Sequence, residues 1–205
     1  MSSNPTIFTV GHSTRTLEEL VALVKAHGVQ AIADVRIFPR SRRYPHFNDD
    51  ALTIELPRAG IAYLPFKSLG GHRKPKADSI NVGWRNASFR GYADYMQTPT
   101  FATALDELMR AARERSTAIM CAEAVPWRCH RSLIADALVV RGWNVRDIMD
   151  LKTARSHELP QFAVVVGRAT IEYRAERNLA EPSLFEAQPS LRCARSSIPA
   201  QRSGS

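Results

Sequence analysis

One stretch holds the densest mixture of reactive side chains in the chain: CAEAVPWRCHR, from Cys121 to Arg131. It contains two of the three cysteines, a glutamate, a histidine and two arginines. Thiolates are nucleophiles and metal ligands, carboxylates and imidazoles move protons, and guanidinium forks hold anions. Three readings of the cysteines follow, and the residues leave all three open. In the first, Cys121 or Cys129 is a nucleophile and His130 or Glu123 moves protons. In the second, Cys121, Glu123 and Cys129 bind a metal. Cys-x7-Cys is not a usual structural zinc spacing, so this set needs a histidine from elsewhere, such as His12. In the third, both cysteines are small apolar core residues beside an anion site. Cys129 lies four before Leu133 and shares its helix face, which favours burial. A phosphatase-like thiol loop is excluded. It needs a cysteine, five residues and an arginine, whereas Arg128 follows Cys121 after six, and no glycine is present to shape the cradle.

Anion contacts are expected from a second segment, RIFPRSRRYPH, Arg36 to His46. It has four arginines, two aromatics and no acid, which suits phosphate forks and base stacking. The bland alternative is a solvated loop paired with acids elsewhere. Arg36 directly follows a predicted strand and is the best placed; Arg40 and Arg42 are later candidates. Arg73 follows Gly70-Gly71-His72, although a glycine pair alone is weak evidence for a phosphate loop. Arg128 and Arg131 complete the basic set. His12 is a candidate base or ligand, and Ser13 shapes the turn or touches the ligand. Asp34 needs a partner if buried, with Arg36, Arg131 or a histidine as the options. Trp84, Tyr92 and Tyr95 are candidates for base stacking, with core packing the heavier reading for Tyr92.

Alternating strands and helices must position these groups. Thr6–Val10 is a β-branched, aromatic run that stops at Gly11. Thr16 and Glu19 fit a capping box, and Leu17, Leu20, Val21 and Val24 recur at helical spacing before Gly28. Ala31–Val35 is a second strand, so the chain opens with a βαβ unit and parallel pairing. Further strands are expected at 61–64, 117–121, 145–149 and 162–166. Helices are expected at 48–59, 91–96, after Pro99, and from Pro126 to Arg141. The polar stretch 150–161 has no clear assignment. The basic, glycine-rich connection 65–88 is long enough to be functional. The pattern predicts a three-layer α/β domain around a mostly parallel sheet. Ligands of such sheets bind beyond the carboxyl ends of the strands. Gly11-His12-Ser13, Asp34-Val35-Arg36, Leu69–Arg73 and Cys121–Glu123 then gather at one edge. Glu123 shares a strand face with Cys121 if that strand continues, and Cys129, His130 and Arg131 fall in the first turns of the next helix.

Taken together, Gly11-His12-Ser13, Asp34-Val35-Arg36, Pro39–Arg42, Phe47-Asn48, Gly60–Tyr63, Leu69–Gly71, Gly91-Tyr92, Cys121–Glu123 and Cys129–Arg131 resemble the family named domain of unknown function 488. The resemblance covers roughly residues 6–150. It implies an α/β fold and a shared site, and no established reaction.

The composition suits one globular domain, 44% hydrophobic and 23% charged over 205 residues. A single domain is expected over 1–167, with a poorly ordered tail over 168–205 that contains Cys193. The net charge of +8 favours anionic partners, here a phosphate-bearing small molecule or nucleic acid. No membrane span and no secretory signal are expected, and an odd cysteine count argues against a disulfide framework. A cytoplasmic location follows as the expectation. No cofactor, definite metal ligand or oligomeric state is assigned. The two leading functions are thiol chemistry on an anionic substrate and a non-catalytic nucleic-acid-binding module.

Overall fold

The strands form because their sequences are apolar on both faces. TIFTVG over Thr6–Gly11 (β1) and TAIMC over Thr117–Cys121 (β4) have no solvated side to offer, which suits central parallel strands. A computed structural model of the chain describes residues 4–175. Ala31–Asp34 (β2), Ala62–Pro65 (β3) and Asn144–Ile148 (β5) run parallel with β1 and β4, and Ala154–Ser156 (β6) lies antiparallel to β5. The order across the six-stranded sheet is β3-β2-β4-β1-β5-β6. Thus β1 and β2 do not pair directly, contrary to the expectation from the opening βαβ unit; β4 sits between them and takes both ladders, and the carboxyl ends of these three strands are neighbours.

Two helix layers follow from the period-2 alternation of the strands. On one face, Leu17–Ala26 (α1) and Asp49–Arg58 (α2) bury Leu20, Val24, Leu52 and Leu56 against Val10, Ile32 and Met120. On the other, Ala87–Met96 (α3), Pro99–Glu114 (α4) and Arg131–Val140 (α5) bury Tyr92, Leu105 and Leu133 against Ile7, Ala33 and Ile119. Cys121 belongs to this second face. The capping box forms as expected: Thr16 N–H donates to Glu19 Oε2 at 2.8 Å, and Glu19 N–H to Thr16 Oγ1 at 3.2 Å. The domain is therefore a three-layer α/β fold around a mostly parallel sheet.

Three local expectations differ from the structure. The helix expected from Pro126 is broken. Pro126–Arg128 is a single 3-10 turn, Cys129 is extended at φ −133° and ψ 142°, and α5 begins only at Arg131. The cause is Arg131, whose side chain reaches back to the carbonyls of Glu123 and Ala124 and folds the intervening loop over the helix start. The strand also stops at Cys121 rather than running through Glu123, whose side chain is exposed. Finally, Ala163–Val166 (β7) does not join the main sheet. It pairs antiparallel with Thr170–Tyr173 (β8), where Ile171 and Tyr173 are buried in the α3–α5 core. That strand lies within the segment expected to be tail; Cys193 and the rest of that segment beyond 175 lie outside the described residues. Among the described residues no helix is long and apolar enough to cross a membrane.

Candidate functional site

Strand ends at the carboxyl edge are locked to one another beyond the ladder. His12 N–H donates to Cys121 O at 2.9 Å, Ser13 N–H to Ala122 O at 2.9 Å, and Val35 N–H to Met120 O at 3.1 Å. Gly11 makes this closeness possible. A Cβ there would lie 1.8 Å from Glu123 O, so any side chain would push the 121–124 loop away. Ser13 adopts a left-handed φ of 53° to pass beneath that loop.

The loop delivers three reactive atoms to one point. Cys129 Sγ lies 3.7 Å from His130 Nδ1, and Cys121 Sγ lies 3.9 Å from the same nitrogen. All three atoms are within 4.8 Å of one another. His130 Nε2 is 3.2 Å from Val35 O. A carbonyl only accepts, so Nε2 carries a hydrogen and Nδ1 faces the sulfurs. Both cysteines are buried and reduced. Their thiols are pushed apart in acidity. A hydrogen bond from Cys121, then His130 and the charge of Arg131, outweigh burial and hold the Cys129 thiol well below the ordinary range. The interaction with Cys129, together with burial, raises the Cys121 thiol above its ordinary range. Arg131 is 1% exposed, and its Nη atoms donate to Glu123 O at 2.5 Å and Ala124 O at 3.0 Å.

A cavity of about 480 Å³ opens over this cluster, a size suited to a small molecule. Its walls include Cys121, Glu123, Arg128, Cys129, His130 and Arg36, with His72, Asn86, Ser88 and Phe38. Gly71 stands beside His130, and a Cβ there would meet Nδ1 at 3.0 Å. Gly71 thus makes room for the imidazole, while Gly70 makes room for Ile37.

The other expected site residues lie elsewhere or are engaged. Arg36 is in the wall, but its fork is committed to Asp34, with Nε to Oδ1 at 2.8 Å and Nη2 to Oδ2 at 2.6 Å. Nη2 also donates to Phe47 O at 2.8 Å. Asp34, 1% exposed, accepts in addition from Tyr63 OH at 2.9 Å. Arg36 Nη1 donates to His12 Nε2 at 3.2 Å, and His12 Nδ1 donates to Ser13 O at 3.1 Å. His12 is stacked on Phe47 and outside the cavity wall. Burial and the Arg36 charge push its imidazole down to about 4, so it is neutral at pH 7. Arg40 and Arg42 project into solvent, Arg40 near Asp49 at 3.7 Å. Arg73 lies over the Tyr95 ring at 3.9 Å. Trp84 packs on Phe89 and Phe162, and Tyr92 is in the core with its hydroxyl donating to Leu69 O at 2.6 Å.

Sequence reasoning missed Asn86 and Ser88, and placed His72 at this edge within Leu69–Arg73 without giving it a role, because the path of the irregular connection has no local code. It also missed a second cluster. His157 lies between Asp136 on α5 and Asp147 on β5, with Nε2 to Oδ1 at 2.8 Å and Nδ1 to Oδ2 at 3.0 Å. Tyr173 OH donates to the other Asp136 oxygen at 2.6 Å, and Thr9 Oγ1 to the other Asp147 oxygen at 2.5 Å. Burial alone would lower the His157 pKa, but the two carboxylates raise it to about 9. Asp136 within the apolar run LIADALVV was the available signal, since a buried carboxylate demands a partner.

No curated protein and no solved structure matches the chain. The family model described as domain of unknown function DUF488 matches residues 16–138, a span that contains both cysteines of the cluster, His130 and Arg131. The chain belongs to the DUF488 family.

Proposed function

We propose that the protein is a thiol-dependent enzyme acting on a small phosphate-bearing ligand held in the cavity at the sheet's carboxyl edge. One observation carries this reading: two thiols and an imidazole nitrogen converge on the floor of a cavity of substrate size. Cys129 is the nucleophile, Cys121 its hydrogen-bond donor, and His130 the group positioned to exchange its proton. The N-terminus of α5 and the Arg131 charge favour negative charge on the sulfur. Arg128, exposed on the cavity wall and without an ion-pair partner among the described residues, is the cation that meets the phosphate.

Site-resolved alkylation at neutral pH tests it. Cys129 should react faster in the native protein than in the unfolded chain, and inorganic pyrophosphate should slow it. A Cys129 that resists until unfolding is a structural cysteine, and the reading falls. Arg128→Ala should remove the protection by pyrophosphate and leave the alkylation rate without pyrophosphate unchanged.

A second reading, a nucleic-acid-binding module without catalysis, is favoured by Phe38. This ring is 78% exposed on the cavity wall, two residues before the exposed Arg40. Exposed aromatics beside arginines stack bases and contact phosphates. If this reading holds, the combined change Arg40→Ala and Arg42→Ala flattens the salt dependence of single-stranded DNA binding by about 1.4 units of slope.

A further inference from the structure

The two sulfurs and the imidazole nitrogen have the geometry of a chelate. We infer that Cys121, Cys129 and His130 bind one zinc ion, and that the ion's fourth position opens onto the cavity. Tetrahedral zinc takes sulfur at about 2.3 Å and imidazole nitrogen at about 2.0–2.1 Å, which sets sulfur and nitrogen about 3.6 Å apart. The two measured sulfur–nitrogen separations, 3.7 and 3.9 Å, need only a few tenths of an ångström of closure. His130 is oriented as a metal-ligating histidine is: its far nitrogen donates to a backbone carbonyl, that of Val35, which fixes the ring and turns Nδ1 toward the sulfurs. Two thiolates and an imidazole are a borderline-soft donor set that suits zinc better than magnesium or calcium. The ligands come from the end of β4 and the extended residues just before α5, so the broken helix start is what brings Cys129 Sγ to His130 Nδ1. Glu123 and His12 do not join them: the cluster contains neither.

Binding converts the Cys121 thiol to a thiolate, and its proton passes to solvent. Both sulfurs then become ligands, and Cys129 loses its nucleophilic pair. Zinc is thus an inhibitor of the thiol chemistry. This consequence rests on the reading of Cys129 as the reactive group; the binding itself does not. Arg128 and His72 line the same cavity, from which a phosphate oxygen or water would complete the tetrahedron.

The test uses the full chain with Cys193→Ser, reduced and stripped with a chelator. Zinc alone is titrated against a chromophoric competitor, and cobalt is used as a spectroscopic probe. One metal per chain is expected, with a sulfur-to-cobalt charge-transfer band. Cys121→Ser, Cys129→Ser or His130→Gln should each weaken zinc binding by roughly 10–100-fold or more. One equivalent of zinc should slow Cys129 alkylation at least about tenfold, a readout on the unsubstituted site that does not depend on any variant folding. Cobalt bound without a thiolate band, or zinc that leaves the alkylation of a reactive Cys129 unchanged, overturns the inference. A reactive Cys129 indifferent to zinc removes the metal and keeps the enzyme reading. Zinc bound tightly at a Cys129 that is inert when metal-free does the reverse.

Discussion

Arg36 and Arg131 show how little an arginine's position in sequence says about its use. Both were expected to hold a ligand, and both are buried charges that hold the site together. Arg36 answers Asp34 with a two-pronged fork, and each would be stranded without the other. Arg36→Ala should cost about 3–5 kcal/mol, because a buried carboxylate is left uncompensated. The double variant Arg36→Ala with Asp34→Asn should cost less than the sum of the single changes. Urea denaturation of the four chains measures the coupling, and strict additivity would show that the pair is not energetically linked. Arg131 satisfies two loop carbonyls, so Arg131→Met should lose about 1–3 kcal/mol from the acceptors it abandons. Equal stability of that variant and the parent in urea would remove the clamp assignment.

At the scale of elements, the site depends on a close approach between β1 and the loop after β4. Gly11 is where that approach is tightest. Gly11→Ala forces the Glu123 carbonyl outward, and overpacking of this kind costs typically about 1–3 kcal/mol. The displaced loop carries Cys121 at one end and leads to Cys129 at the other. The melting temperature should therefore fall, and Cys129 alkylation in the native state should move toward its unfolded-chain rate. A variant that melts lower with an unchanged Cys129 rate would mean that the loop moves without its thiols. The same loop explains why the helix after β4 starts late. A continuous helix from Pro126 would satisfy local propensity, but it would deny Arg131 its carbonyls.

Across the whole molecule, the His157 cluster joins pieces that the thiol site does not. Through Asp136 and Asp147 it links α5, β5, β1 at Thr9 and β8 at Tyr173. Its folded pKa of about 9 lies above the ordinary 6.5, so its stabilisation is fully present below about pH 6.5. It is lost as pH rises through about 9, when the imidazole becomes neutral between two carboxylates. The shift sets an upper bound of about 3 kcal/mol. Urea midpoints compared at about pH 6 and about pH 10 should fall for the parent chain by more than for His157→Gln. An equal fall in both would place the pH dependence elsewhere.

Composition and periodicity alone determined the layer architecture and the edge where the motifs gather, but not that β4 would insert between the two strands of the opening. Apolar runs on both faces of β1 and β4 leave a parallel sheet little alternative, and the carboxyl-edge rule then assigns the motifs to one side. The Cys121–Arg131 stretch was legible as the reactive segment because no other part of the chain concentrates such groups. Which side chains reach the ligand was not legible. Arg36, Arg128 and Arg131 are the same residue type near the same edge, yet one is committed to a carboxylate, one has no partner among the described residues and one is buried under a loop. Asp34 lies only two residues from Arg36 and was among the options, but the remaining partners are distant in sequence: Phe47 for Arg36, Val35 for His130, His157 for Asp136. Only the tertiary structure decides such pairings. A buried polar group is stable only where folding brings it a partner, and sequence spacing does not record which partner that is.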